Sequence, residues 1–192
     1  MGNLKFLDID FFASFEEFQQ IIKHDGKEVA FVGASNSGKS SAINALANQT
    51  KLARVSKRPG KTKLFNYFKL RSGFIVDFPG YGYAKTSKEQ QKIWQIELPK
   101  YFEARENLCF VYLFTDIRHP LKESDYQMLD ILIKNKIDHK IILTKSDKIN
   151  SAEISNILQS QKERFLLVDA FSIKNECQIF KIANEISELL SN

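Results

Sequence analysis

Cysteine is scarce in this chain, and its scarcity sets aside two classes of protein at once. Only Cys109 and Cys177 occur among 192 residues. They stand far apart, and Cys109 lies inside the apolar run 108–114, a setting for a buried thiol rather than for a disulfide framework or a zinc site. The three histidines, His24, His119 and His139, have no ligand spacing, so no catalytic histidine is indicated. No apolar stretch approaches the ~18 to 20 residues that span a bilayer, and residues 1–10 carry no cleavable signal pattern. A cytoplasmic protein with no membrane partner is expected. Internal repeats and low-complexity tracts are also missing. Acidic residues are absent from one long stretch, since residues 29–76 hold nine Lys or Arg and no Asp or Glu. The other 19 basic residues are outnumbered by 23 acidic ones, so the net charge of +5 originates in that stretch alone. A solvated face is the plain explanation of most lysine runs. Here, Lys51, Arg54, Lys57, Arg58, Lys63, Lys69 and Arg71 form a surplus able to attract nucleic acid or another polyanion.

What is present suffices for one good core. With 43% hydrophobic residues over this length, a single compact domain is expected across 1–192, with about 1–27 as an extension packing on it. Short apolar runs at 29–32, 66–70, 74–78, 108–114, 140–143 and 165–168 read as strands. Helical composition or period marks 42–47, 88–105, 122–134, 152–163 and 179–190; in the last, Ile179, Ile182, Ala183, Ile186 and Leu190 share one face. Such alternation predicts an α/β fold, a mostly parallel central sheet with helices on both faces. The runs at 74–78 and 108–114 are nearly continuous in apolar residues, as central parallel strands are. The edge pair beginning at Asn66 is open to antiparallel pairing. Pro99 interrupts the helix around Trp94, which implies a kink or a split. Phe6, Phe11, Phe12, Phe15 and Phe18 are expected to dock on the core.

Three motifs carry chemistry, and they fall in a meaningful order. Gly33, Ala34, Ser35, Asn36, Ser37, Gly38, Lys39 and Ser40 fit the Walker A spacing between a strand and a helix. Glycines there let backbone N–H groups turn inward around phosphates at a helix N-terminus, Lys39 reaches the β and γ phosphates, and Ser40 offers its hydroxyl to Mg²⁺. Asp77, Phe78, Pro79 and Gly80 follow an apolar strand; alone they are an ordinary turn, but downstream of Walker A they supply a carboxylate for the magnesium shell and a glycine N–H for the γ phosphate. Thr144, Lys145, Ser146 and Asp147 close the strand at 140–143. The Asp147 carboxylate can accept from guanine N1–H and its exocyclic amine while the stem of Lys145 covers the ring, so this element selects guanine over adenine. Between the first two motifs, Thr62 is placed as a switch threonine that completes the magnesium shell when the γ phosphate is present.

These residues resemble the EngB (YihA/YsxC) type of bacterial ribosome-biogenesis GTPases. The likeness rests on 31–41, on Arg58-Pro59-Gly60-Lys61-Thr62, on 77–84 with its Asp-Phe-Pro-Gly-Tyr-Gly-Tyr-Ala, on Asp116-Ile117-Arg118-His119 followed by Asp125, and on Thr144 to Asp147. It covers residue 28 to the C-terminus. The resemblance implies a Ras-like P-loop NTPase fold of the TrmE-Era-EngA-EngB-Septin-like class, with GTP or GDP and Mg²⁺ as ligands. It also implies a role in assembling the large ribosomal subunit, on which normal cell division and septation depend. The partners it implies are the large subunit or its precursor, through rRNA and ribosomal proteins, with no DNA and with the chain as a monomer. It assigns Gly60, Lys61, Thr62, Lys63 and Leu64 to the switch, Ser40 and Thr62 to Mg²⁺, and Phe171, Ser172 and Ile173 to the guanine. Two departures stand out. The family usually reads Phe-Ser-Ser with a later glycine, where this chain has Phe171-Ser172-Ile173 and Cys177-Gln178; and Lys61 stands where arginine is common. Backbone amides at Ser172 and Ile173 remain able to bond guanine O6.

Tyr81 occupies the place where Ras-like enzymes carry a water-orienting glutamine, so slow intrinsic hydrolysis completed by a partner is expected, and no catalytic residue is assigned. Asn36 matches the position seen in potassium-stimulated relatives, which makes K⁺ a candidate activator. Two rival functions are weighed. A P-loop kinase needs an acceptor pocket with lid arginines and leaves Thr144 to Asp147 accidental; a GTP-dependent regulatory scaffold acting directly at the division septum differs from an assembly factor in what it co-sediments with.

Overall fold

The computed structural model describes residues 6–53, 65–81 and 96–191. In chain order its elements are β1 (Asp10–Phe15), β2 (Lys27–Gly33), α1 (Lys39–Leu46), β3 (Phe65–Leu70), β4 (Gly73–Asp77), α2 (Leu98–Ala104), β5 (Leu108–Asp116), α3 (Glu123–Lys134), β6 (His139–Thr144), α4 (Ser151–Lys162), β7 (Val168–Ala170) and α5 (Glu176–Ser191). The strands form one sheet in the order β1-β3-β4-β2-β5-β6-β7. β2 pairs in parallel with both β4 and β5, and β5, β6 and β7 continue in parallel. β3 pairs antiparallel with β4 and with β1, so it alone runs against the rest.

Period-two alternation in the strands divides the core. Ala30, Val32, Val111, Leu113, Ile141 and Leu143 face one layer, made by Leu98, Tyr101 and Phe102 of α2, Met128, Leu129 and Leu132 of α3, and Ile154, Ile157 and Leu158 of α4. Val29, Phe31, Phe110, Tyr112, Phe114 and Ile142 face the other, made by Ala42, Ile43 and Leu46 of α1 and the Ile179, Ile182, Ala183, Ile186 and Leu190 stripe of α5. Each Val, Leu, Ile, Phe or Met among them, taken fully out of water, contributes about 1.5–3 kcal/mol. The fold is the α/β class expected, with helices on both faces.

Local chemistry sets the boundaries. The α4 N-terminus is a reciprocal capping box, in which Asn150 Oδ1 accepts from Glu153 N at 2.9 Å and Glu153 Oε2 accepts from Asn150 N at 3.2 Å, satisfying two donors that the helix cannot. Pro99 sits in the first turn of α2, where its missing N–H costs nothing; the 82–95 part of the expected 88–105 helix lies outside the described residues. Two readings need correction. Residues 165–168 are not the last strand, which begins at Val168 where the apolar run ends and leaves Leu166 94% exposed. Asp10–Phe15, read only as docking aromatics, is a strand paired to β3; Phe15 and Phe18 do pack on the core, whereas Phe11 and Phe12 remain largely exposed.

Candidate functional site

In open α/β sheets, ligands settle at the carboxyl ends of the strands where the winding reverses. Here the chain moves from β2 outward to β4 and later returns to β5 on the other flank of β2. The loop leaving β2, residues 33–40, lies at that reversal. Gly33 has φ 148°, and a Cβ there would stand 2.2 Å from Phe114 O, so only glycine lets β2 hand the chain to the loop beside β5. The loop then turns through Asn36 at φ 64° and Gly38 at φ 106°, and Gly38 O accepts from Ala42 N at 2.9 Å as α1 begins.

Within this loop the lysine is held from below. Lys39 Nζ donates to Gly33 O at 2.8 Å and Ala34 O at 3.2 Å. Burial pushes its pKa down, and the charges of Asp77 and Asp125 oppose that only in part. Ser40 Oγ donates to Asp77 Oδ2 at 2.9 Å, at the end of β4. Burial likewise pushes Asp77 up against the influence of Lys39 and Ser40, and its Oδ1 is buried with no partner among the described residues. A lysine and a carboxylate that desolvation drives toward neutrality are a place where added phosphate and cation charge is welcome. The donor set suits Mg²⁺: a serine hydroxyl and an orphaned carboxylate oxygen, with no cage of three or more Asp, Glu, His or Cys among the described residues, match an ion held mainly through phosphate oxygens and water.

The Asp77 to Gly80 turn closes on the phosphate loop. Phe78 N donates to Phe31 O at 3.0 Å, and the Phe78 ring is buried against Phe65, Tyr101 and Phe102, so this residue meets the site through its backbone only. Pro79 is also buried. A Cβ on Gly80 would lie 2.8 Å from Ser35 Cα, an approach that no larger residue permits. Tyr81 follows, bridged to Ala34, with its carbonyl accepting from Ser35 N at 2.9 Å. Its ring is buried, and burial together with the nearby Asp125 carboxylate raises its pKa well above the ordinary phenol value. The Tyr81 side chain thus points into the core.

The base-selecting segment joins the same crevice. Thr144 Oγ1 lies 2.6 Å from Ser37 O and 3.0 Å from Thr115 O. Lys145, in a left-handed conformation at φ 59°, reaches Asn36 O at 2.9 Å and Asp116 Oδ2 at 2.8 Å. Its side chain therefore ties the end of β6 to the phosphate loop. Ser146 N donates to Phe171 O at 3.2 Å; the Phe171 ring itself is core. Asp147 Oδ1 accepts from Ser172 Oγ at 2.9 Å, and Asp147 Oδ2 lies 3.2 Å from Lys174 Nζ. Burial works to raise the Asp147 pKa, but the Ser172 hydroxyl and the Lys174 and Lys148 ammonium groups outweigh it and hold it below the usual carboxylate range. Ile173 is exposed beside them. Gly60, Lys61, Thr62, Lys63 and Leu64 lie outside the described residues.

One participant carries no role in the sequence reading. Asp116, at the end of β5, binds Lys145 and also accepts from Arg118 Nη2 at 2.7 Å. Although burial opposes them, those two cations hold its carboxyl far below the usual range. Its position at a carboxyl strand end, next to the other motifs, is the signal that was available.

Comparison with known proteins agrees with this geometry. Residues 28–145 match the family model described as 50S ribosome-binding GTPase. The chain is 39% identical over 189 residues to the probable GTP-binding protein EngB of Mannheimia succiniciproducens, covering 95% of this chain and 92% of that protein. It is 43% identical over 175 residues to the protein of the same name from Buchnera aphidicola, covering 90% and 85%. The crystal structure of a probable GTP-binding protein EngB superposes with a TM-score of 0.66 at 27% identity, over 85% of this chain and 98% of that one.

Proposed function

Because this chain belongs to the EngB family of GTP-binding proteins and is a GTPase, we propose that its nucleotide state controls binding to the large ribosomal subunit or its precursor. In this reading it serves assembly of that subunit, and normal cell division and septation depend on it through ribosome supply. The observation that carries the nucleotide part is the pair of bonds from Thr144 and Lys145 to the backbone of the phosphate loop, which supports reading Asp147 as the guanine-selecting carboxylate of the crevice whose phosphate cradle is 33–40. The ribosomal part is supported by the description of the matching family model and by the acid-free segment 29–76, of which Lys51, Lys69 and Arg71 are exposed.

In this reading residues 33–40 wrap the phosphates, and Gly80 offers its N–H to the γ phosphate. When bound, Mg²⁺ would neutralise charge on the β and γ phosphoryl oxygens, with Ser40 and Thr62 as its protein ligands and Asp77 hydrogen-bonded to Ser40. The Asp147 carboxylate and the Ile173 backbone face guanine, whereas the Ser172 N–H, expected to bond guanine O6, is taken by Gln178 Oε1 at 2.7 Å. With Tyr81 turned inward, no side chain among the described residues is placed there to orient water, and in this reading intrinsic hydrolysis is slow and the partner completes it. K⁺ assists through Asn36, and equal rates in Na⁺ and K⁺ would remove that element. No helix among the described residues is long and apolar enough to cross a membrane. The setting proposed is the cytoplasm, the chain acting as one G domain over 1–192 and as a monomer.

Sedimentation with isolated ribosomal subunits tests the proposal. With a non-hydrolysable GTP analogue the protein should travel with the large subunit, and the association should weaken with GDP and with salt, as phosphate contacts do. Equal recovery in both nucleotide states, or retention by a septal protein instead, would overturn it.

A further inference from the structure

Gln178 is the third residue of α5, a position with no obvious claim on the nucleotide. Its own N–H is capped by Asn175 Oδ1 at 3.2 Å. In an ordinary capping box the side chain three residues into the helix returns to the N–H of the capping residue. That N–H is already engaged here, since Asn175 N donates to Ser172 O at 3.1 Å. The Gln178 side chain reaches further, and its Oε1 accepts from Ser172 N at 2.7 Å.

Ser172 is thereby fixed from every direction. Its N–H goes to Gln178, its carbonyl receives Asn175 N, and its Oγ accepts from Lys174 N at 3.1 Å while donating to Asp147 Oδ1 at 2.9 Å. A hydroxyl whose acceptor side is occupied by one N–H has its proton directed at the remaining neighbour, which is the Asp147 carboxylate. Ser172 is buried, so its N–H needs the partner it has.

We propose that Gln178 is a positioning residue for guanine selectivity: by accepting the Ser172 N–H it sets the serine hydroxyl that orients the Asp147 carboxylate toward the base. The inference rests on the reading of Asp147 as the guanine acceptor. In this proposal Gln178 acts only through Ser172, whose N–H it accepts. Without its acceptor, Ser172 and the following Ile173 amide lose their register, and a carboxylate aimed at two donors at once meets only one of them well.

Inosine diphosphate separates this role from a purely structural one, because it keeps the N1–H and lacks the exocyclic amine. Dissociation constants for GDP, inosine diphosphate and ADP are measured on the full chain, on Gln178→Ala, on Gln178→Met, which keeps side-chain bulk without the acceptor, and on Gln178→Glu, which restores an acceptor. Both acceptor-free variants should weaken GDP about tenfold, the loss expected when the Asp147 carboxylate meets one of the two guanine donors poorly. They should weaken inosine diphosphate less, so the ratio between the two shrinks, and Gln178→Glu should recover most of it. Parallel loss for both nucleotides, unchanged GDP affinity, or no recovery with Gln178→Glu would overturn the role given to Gln178. An unsubstituted chain that binds ADP as tightly as GDP would instead sink the reading of Asp147, and the inference with it.

Discussion

At the amino end of β2, Glu28 is wholly buried, yet its carboxylate meets the Arg105 guanidinium, the Tyr101 hydroxyl and His24 Nε2, the last at 2.7 Å, while Tyr67 closes on Tyr101 at 3.3 Å. At the carboxyl end of the same strand, buried Ser37 Oγ and Asp77 Oδ1 have no partner among the described residues. At the other end His24 Nδ1 is such an atom, and Gln161 Oε1 near the end of α4 is another. Both ends pay desolvation, but only one recovers it within the protein. A completed network fixes the fold, tying the segment before β2 to the turn before β5 through Arg105 and through Asn107, whose Nδ2 donates to His24 O and Gly26 O at 2.8 Å each. An uncompleted one marks a place for an outside group, since orphaned buried polar atoms are otherwise few in native proteins. Positive φ does not divide the two ends in the same way: Gly33, Asn36, Gly38 and Lys145 carry it at the carboxyl end, and Asn48 after α1 and Lys136 before β6 carry it as well.

Substitutions at the two ends should therefore separate binding from folding. The largest effect is expected for Lys39→Ala, which should abolish measurable triphosphate binding while circular dichroism and Tm stay close to those of the parent chain. Next comes Asp147→Asn, which exchanges an acceptor for a donor and should move preference from GTP to xanthosine triphosphate by roughly 10⁴; an unchanged GTP affinity would contradict the role of that carboxylate. Glu28→Gln should do the reverse of both. Leaving Arg105 buried without its counter-charge costs about 3–5 kcal/mol, read as a lower midpoint in urea, with GDP affinity retained within about twofold, well under the tenfold that 1.4 kcal/mol represents. Loss of GDP affinity without loss of stability would break the contrast between the ends.

The sequence was informative where chemistry is local and less so where it depends on contact. Strand, loop and helix around residues 33–40 were readable because spacing of glycines, lysine and serine is itself the requirement. The strands at 74–78 and 108–114 were readable because burial on both faces leaves only apolar residues. β1 was not, since an edge strand held by backbone pairing to β3, with a register shift between Phe11 and Ala13, needs no alternation of side chains. The 165–168 run misled because Leu166 and Leu167 are exposed, and what places β7 is the pairing of Val168, Asp169 and Ala170 with Ile141, Ile142 and Leu143. The inward turn of Tyr81 and the reach of Gln178 to Ser172 link residues through geometry that no spacing rule encodes.

The smallest expected effect concerns pH and asks whether Asp147 belongs wholly to the ligand-facing end. Although burial works against it, Ser172, Lys174 and Lys148 hold its pKa below the ordinary carboxylate range, so the ionised form that accepts from guanine persists as the solution is acidified. GDP affinity should be flat from neutral pH down through the ordinary carboxylate range and fall only below it. The stability linked to this group has the same sign: a depressed carboxylate contributes above its unfolded-state pKa, and the contribution is lost as pH falls through the folded value. Replacing the donor by Ser172→Ala removes the hydroxyl and leaves both lysines, so the acid limb of GDP binding should move to higher pH without disappearing. A limb that stays where it was would mean that the Ser172 hydroxyl does not tune the carboxylate. It would also mean that Asp147 is held by its lysines alone, as a surface ion pair is.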